Sequence, residues 1–298
     1  MLDNQPNPNP NAAINPVSES PPSEGTTTSS TFDIELKLVL EAIYLRYQHD
    51  FRHYSVSSLR RRLTQALADL GIPTLSQLQE RILRDPALFA RLFQYLTVQV
   101  SEMFRDPHYF RAIREQVVPI LQTYPSIKVW VAGCSSGEEL WSLAVLFAEE
   151  KIADRTVFYA TDINADALRQ AESGIYPLDR LARFSQNYLA AGGKRSLSDY
   201  YHAAYGAAKF SQTLKSRVVF ADHSLATDSV FLEAHLVSCR NVLIYFDRAL
   251  QDRALGLFSD SLVRRGFLGL GSKESLRFSK HAANFAEFNA RERIYQKV

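Results

Sequence analysis

Lys128-Val129-Trp130-Val131-Ala132 leads directly into Gly133-Cys134-Ser135-Ser136-Gly137, and Glu138 to Lys151 follows. The first five residues, apolar after Lys128 and rich in β-branched and aromatic side chains, read as a buried strand. The small residues bounded by two glycines read as a turn, and the stretch after them as a helix. The same alternation recurs downstream. Thr156-Val157-Phe158-Tyr159-Ala160-Thr161 reads as a second strand and Ala165 to Ser173 as a second helix. Further strands are expected at Arg217–Ala221, Leu236–Cys239 and Phe267–Gly271, with Arg293 to Gln296 closing the series. Strands alternating with helices predict an α/β fold, a doubly wound and mostly parallel sheet. The polar stretch 176–216, with Gly192-Gly193, interrupts the pattern and is expected to form a small inserted subdomain.

Upstream of the sheet the period is helical. Ile34, Leu36, Leu38, Leu40, Ile43, Leu45 and Tyr47 form one amphipathic stretch. Leu59, Leu63, Leu67 and Leu70 recur at helix spacing before Gly71 and Pro73 supply a stop. Thr74 or Ser76 can cap a third helix, and Asp85-Pro86 opens a fourth. Residues 32–113 therefore read as a small all-helical domain and 114–298 as the sheet domain. Residues 1–31 hold six of the chain's twelve prolines and no Lys or Arg. Such a segment cannot bury enough apolar surface to offset its ordering entropy, and a disordered tail is expected.

Composition bounds the function. The 298 residues carry 34 Lys+Arg against 32 Asp+Glu, and without the tail 34 against 29. A charge so nearly balanced argues against a nucleic-acid partner. Two cysteines, Cys134 and Cys239, exclude a disulfide framework and a four-cysteine zinc site. The seven histidines show no metal-ligand spacing, so no metal is expected. No apolar run reaches about 18 residues, and the N-terminus lacks the features of a secretory signal. A cytoplasmic, monomeric protein with no membrane insertion is the expectation.

In open α/β sheets ligands bind beyond the carboxyl ends of the strands. Gly133, Ser135, Ser136 and Gly137 let a ligand approach the backbone there. Asp162 ends the second strand, where a nucleotide-binding fold places a carboxylate for ribose hydroxyls. The turn has neither G-x-G-x-x-G nor the Gly-Lys-Ser/Thr of a phosphate-binding loop. An adenosine-bearing ligand without phosphates, such as S-adenosylmethionine, fits it better than a dinucleotide. The same five residues also match G-x-S-x-G, the turn that carries the nucleophile of serine hydrolases. On that reading Ser135 would be the nucleophile and His281, in a stretch that looks helical, the base. A second cluster, Ser238-Cys239-Arg240-Asn241-Val242-Leu243-Ile244-Tyr245-Phe246-Asp247, begins at the end of an apolar strand. Its Arg, Asn and Tyr would project into the same crevice, where Arg can fork onto a carboxylate and Tyr can donate a hydrogen bond.

These segments resemble the chemotaxis receptor methyltransferases, the CheR family. Ser101-Glu102-Met103-Phe104-Arg105-Asp106 resembles the family's Asn-x-Thr-x-Phe-Phe-Arg motif. Trp130 to Glu139 resembles its first strand-to-helix turn, and Ala160-Thr161-Asp162-Ile163 its acidic second strand. Cys239 to Asp247 is nearly its signature, and Gly271-Ser272-Lys273-Glu274-Ser275-Leu276 is similar to its Gly-x-Ser-Glu ending. The resemblance implies a protein-glutamate O-methyltransferase that uses S-adenosyl-L-methionine, with the cytoplasmic helical domain of methyl-accepting chemoreceptors as partner. It implies that Glu139 and Asp162 hold the amino and ribose ends of the cofactor and that Gly133 contacts it through backbone. Gln99, Ser101, Ser224 and Leu225 would complete the cofactor site. Arg105, Arg240, Asn241 and Tyr245 would line the methyl-transfer site, with Arg105 and Tyr245 orienting the substrate carboxylate. Gln99 and Ser224 stand where the family usually has Asn, which leaves room for a non-catalytic, receptor-binding adaptor. Arg52, Arg60, Arg61 and Arg62 would dock the acidic receptor; a merely solvated helix face is the alternative.

Overall fold

The computed structural model describes residues 1–2 and 30–298; the expected tail over 1–31 lies, apart from its two ends, outside them. Ser30 opens the first helix, α1 (Thr31–Tyr47), its Oγ accepting the Asp33 N–H at 3.2 Å. Helix α2 (Val56–Leu70) ends at Gly71, whose left-handed φ of 64° closes it without a Cβ clash. Thr74 caps α3 (Leu75–Arg84), and Asp85 accepts two N–H groups at the start of α4 (Pro86–Leu96), whose first residue is proline. Leu36, Ile43, Leu59, Leu63, Leu78, Ile82 and Leu92 meet in one buried cluster, the core of this helical unit.

Residues 103–113 were expected to belong to the helical domain, but they pack elsewhere. Helix α5 (Pro107–Ala112) runs through one π-turn at Ile113–Val117 into α6 (Val118–Leu121). Met103, Phe104, Tyr109, Phe110 and Ile113 are buried in the core under the sheet. Their apolar faces continue a helical period, so the sequence alone shows no break at the true change of partner.

The main sheet contains β1 (Ile127–Ala132), β2 (Thr156–Asp162), β6 (Val218–Asp222), β7 (Ala234–Cys239), β8 (Leu262–Leu270), β9 (Phe285–Asn289) and β10 (Ile294–Lys297). Their order across the sheet is β6-β2-β1-β7-β8-β10-β9. The first five are parallel, and β10 runs antiparallel to both β8 and β9. Helices α7 (Glu138–Glu149), α8 (Ala165–Ser173) and α11 (Arg248–Ser261) make the crossovers. Strand β9 was not foreseen: five residues with two phenylalanines carry too short a pattern. The strand order reverses between β1 and β7, which sets a crevice beyond their carboxyl ends.

The expected insertion is real in outline and richer in detail. Strands β3 (Ile175–Pro177), β4 (Tyr201–Ala204) and β5 (Ala207–Phe210) form a separate antiparallel sheet in the order β3-β5-β4. Helix α9 (Leu178–Ala190) lies beside it with Leu181, Phe184 and Tyr188 buried, and a single turn, α10 (Gln212–Lys215), leads back to β6. The stretch around His281, expected to be helical, is a 3-10 turn at Ala282–Asn284. Among the described residues no helix is long and apolar enough to cross a membrane.

Candidate functional site

The turn after β1 is built for close approach. Gly133 has φ 70°, and a Cβ there would stand 2.6 Å from Val242 Cγ2, so only glycine lets the turn pass against the Asn241–Tyr245 segment. Gly137 has φ 91°, and its Cβ would meet Ala171 of α8 at 2.7 Å. The Ser135 N–H donates to Asp162 Oδ2 at 2.8 Å and the Asn164 N–H to Asp162 Oδ1 at 2.9 Å. Burial pushes the Asp162 carboxyl above the usual aspartate range, opposed by these backbone donors. A carboxylate offers about four lone-pair positions, so acceptor capacity remains at Asp162.

The inserted subdomain braces the turn. Tyr176 donates its hydroxyl to Ser136 O at 2.7 Å. Glu138, fully buried, takes an ion pair from Arg180 at 2.8 Å and the Ser136 hydroxyl at 2.7 Å. Arg180 also donates to the Ser101 carbonyl. Ser135 donates its hydroxyl to Gln99 Oε1 at 2.8 Å. His281 packs against Gly256 of α11, and among the described residues Ser135 hydrogen-bonds Asp162 and Gln99 but no histidine. The nucleophile–base reading therefore has no base, and the hydrolase expectation is corrected.

A buried network fixes the floor. Ser238 donates to Glu139 Oε1 at 2.6 Å and shares a hydrogen bond of 2.8 Å with the Tyr109 hydroxyl. Arg240 reaches Glu139 at 3.2 Å, Asp106 at 2.8 Å and the Arg105 carbonyl at 3.0 Å, with its guanidinium 4.1 Å from the Tyr109 ring centre. Its side chain is 1% exposed. Both terminal nitrogens are thus committed to protein acceptors. The expectation that Arg240 forks onto a substrate carboxylate is corrected: it fastens Glu139 and the Arg105–Asp106 turn. Arg105 itself lines the crevice, and its guanidinium has no ion pair among the described residues.

The Asn241–Tyr245 segment is held from behind by Glu274. Its Oε2 accepts from the N–H groups of Gly271 at 2.6 Å and Asn241 at 3.0 Å, and its Oε1 from Val242 at 2.9 Å and Ile244 at 3.4 Å. Burial raises the Glu274 carboxyl, again against these donors. Sequence reasoning noted Glu274 within a motif but gave it no role. With Ser272, Lys273, Ser275 and Arg277 around it, nothing in the sequence marks Glu274 as buried.

The helical domain supplies the opposite wall. Tyr54, Arg62, and the run Thr97–Ser101 face the crevice. The contact is clipped by the Ser55 N–H on Tyr245 O at 2.7 Å and the Asp247 N–H on His53 O at 2.8 Å. Arg62 was expected to present charge outward. Instead it turns in, donating to Leu96 O and to Ser58 Oγ at 2.8 Å, with its guanidinium 5.2 Å from the Tyr245 ring centre. Arg52 is taken by Asp50 at 2.8 Å and Glu41 at 3.2 Å, and Arg60 by Asp33. Only Arg61 of the four is exposed with no ion pair among the described residues. The outer basic face is weaker than the sequence suggests. Arg62→Ala is expected to cost about 2 kcal/mol of stability, because a cation–π contact and three hydrogen bonds go. Arg61→Glu, at an exposed position, should instead stay within about 0.5 kcal/mol of the parent, and denaturant unfolding of the two variants separates the cases.

Gln99, Ser101, Arg105, Gly133, Glu139, Asp162, Leu225, Arg240, Asn241 and Tyr245 all line this one crevice. Ser224 does not: its Oγ accepts the Ala226 N–H at 3.2 Å in a turn. Arg52, Arg60 and Arg61 also lie outside. The sequence reading missed Tyr54, Ile163, His223 and Val242 as lining residues. Cys134 and Cys239 are buried free thiols whose pKa burial raises well above the usual range, in keeping with packing residues.

Two family models match the chain. One, described as "CheR methyltransferase, SAM binding domain", covers residues 99–294. The other, "CheR methyltransferase, all-alpha domain", covers residues 34–97. A Pseudomonas putida protein named "Putative methyltransferase Cher3" is 55% identical over 271 residues, 91% of this chain and 99% of its own length. A "Chemotaxis protein methyltransferase" of Salmonella typhimurium is 27% identical over 262 residues, 85% of each chain. One of the same name from Listeria monocytogenes is 28% identical over 234 residues, 76% of this chain and 84% of its own.

Proposed function

The chain belongs to the CheR methyltransferase family, and on that premise we propose that it methylates glutamate side chains of methyl-accepting chemoreceptors, consuming S-adenosyl-L-methionine and releasing S-adenosyl-L-homocysteine. The observation that carries the reading is a crevice in which Arg105, with no ion pair among the described residues, and Tyr245 stand with the acidic strand end of Asp162. The donor set suits the cofactor. Asp162 keeps acceptor capacity for a ribose diol, and Glu139 keeps some for an ammonium group beyond its bonds to Ser238 and Arg240. Ile163, Leu225 and Val242 offer an apolar wall for a base, and Gly133 leaves no side chain between the turn and Val242.

When bound, S-adenosylmethionine supplies an electrophilic methyl group to a carboxylate oxygen. A glutamate with a reference pKa of about 4.3 is ionised at neutral pH, so the chain needs no general base. Its residues position and exclude water instead. Arg105 forks onto the incoming carboxylate, Tyr245 donates to it, and Arg62 holds the Tyr245 ring. Arg240 acts through others, keeping Glu139 and the Arg105 turn in place. Arg105→Ala is expected to lower kcat about 100-fold and Tyr245→Phe about tenfold, with affinity for S-adenosylhomocysteine within about threefold of the parent. Unchanged kcat in both variants would remove them from these roles.

A further inference from the structure

We propose that a second surface, centred on Phe278 and outside the methyl-transfer crevice, docks an acidic, partly apolar segment of a partner protein. Phe278 is 74% exposed on the segment that links β8 to the Ala282–Asn284 turn. A single exposed aromatic is ordinary, but this one stands between two grooves, where a partner could bury it as an anchor. It is held in place: Arg248, at the start of α11, sets its guanidinium 5.3 Å from the ring centre.

Two grooves meet at Ser275 and Phe278. One is floored by Leu276, Phe285 and Tyr295 and rimmed by Arg277 and Arg293. The other runs between Phe278 and the Arg248–Leu255 flank of α11. Lys273 and Lys280 stand exposed on the same segment, Lys280 paired with Asp252 at 3.7 Å. Neither Arg277 nor Arg293 has an ion pair among the described residues. The carboxylates at the grooves are Glu287 and Asp252, and Asp252 already accepts from Ser279 Oγ at 2.6 Å and the Lys280 N–H at 2.8 Å. The free charge is therefore positive, which selects and steers an acidic partner.

The apolar floor decides between classes of acidic partner. Two short grooves on either side of one aromatic accept alternate side chains of a peptide, as extended-segment recognition requires. A nucleic-acid strand would need a continuous basic track with several stacking rings, and Glu287 and Asp252 would face its phosphates. None of the groove residues lines the crevice between β1 and β7, so this surface is independent of cofactor binding.

The test is fluorescence anisotropy with a fluorescein-labelled 12-residue peptide of alternating Glu and Leu, titrated with the full chain at low and high salt. Saturable binding that weakens with salt is expected. Arg248→Glu combined with Arg277→Glu, and separately Phe278→Ser, should each weaken it at least tenfold without moving the melting temperature. A matching Lys–Leu peptide should not bind. No saturable binding, equal binding by the variants, or tighter binding of a single-stranded oligodeoxynucleotide with the same sensitivity to the variants would overturn the proposal.

Discussion

Asp162→Asn is expected to weaken S-adenosylhomocysteine binding by about 30- to 100-fold, the loss of roughly 2–3 kcal/mol from two charge-assisted hydrogen bonds to a ribose. The variant keeps side-chain volume but leaves either the Ser135 or the Asn164 N–H facing an NH2, at a cost of about 1–3 kcal/mol, so the melting temperature should also fall by about 2–10 °C. Isothermal titration calorimetry reads the affinity directly. The pH dependence has a definite sign. Burial raises the Asp162 carboxyl above its usual range. Ribose hydroxyls donate to the ionised form, so affinity is flat above the raised pKa and falls as pH drops through it. The fall should begin at a higher pH than an ordinary aspartate would give. In Asp162→Asn that slope should be absent.

Glu274→Gln should be the most damaging single isosteric change to stability. Four backbone N–H groups share the two oxygens of the buried Glu274 carboxylate. A carboxamide offers one oxygen, and its NH2 must face either the Gly271–Asn241 pair or the Val242–Ile244 pair. Each buried donor left without an acceptor costs about 1–3 kcal/mol, so a loss of about 3 kcal/mol is expected, and about 3–5 kcal/mol for Glu274→Ala. Denaturant unfolding measures it, with exposed Lys273→Ala within about 0.5 kcal/mol of the parent as the control. Methyl transfer should fall with stability, because the same N–H groups set the path of Asn241–Tyr245. A neutral Glu274→Gln would mean that the segment is held by packing alone.

The fold was legible where local chemistry and tertiary environment agree. β1 is buried on both faces, so its apolar run showed plainly, and Gly133 and Gly137 mark the turn because only glycine fits there. Gly71, Thr74 and Asp85 cap their helices as the sequence suggests, since capping is a short-range matter. The site was legible as a set of residues but less so as a set of partners. Arg62 and Arg60 stand two residues apart in sequence, yet one turns to Tyr245 and the other to Asp33 on α1. No spacing rule on α2 reports where α1 or the crevice lies. Arg240 offered the chemistry of a substrate fork, and only the fold shows Glu139 and Asp106 already occupying it. Ser224 was placed at the cofactor by motif position, while its hydroxyl serves its own turn.

One reaction carries the assignment. S-adenosylmethionine carrying tritium in its methyl group, incubated with the purified chain and membranes bearing a methyl-accepting chemoreceptor, measures it most directly, with the label on the receptor counted as methanol released by alkali. The expected result is alkali-labile label on the receptor, the signature of a glutamyl methyl ester, lost with Arg105→Ala. Label that resists alkali, or no label on any receptor from a chain that binds S-adenosylhomocysteine, would contradict it.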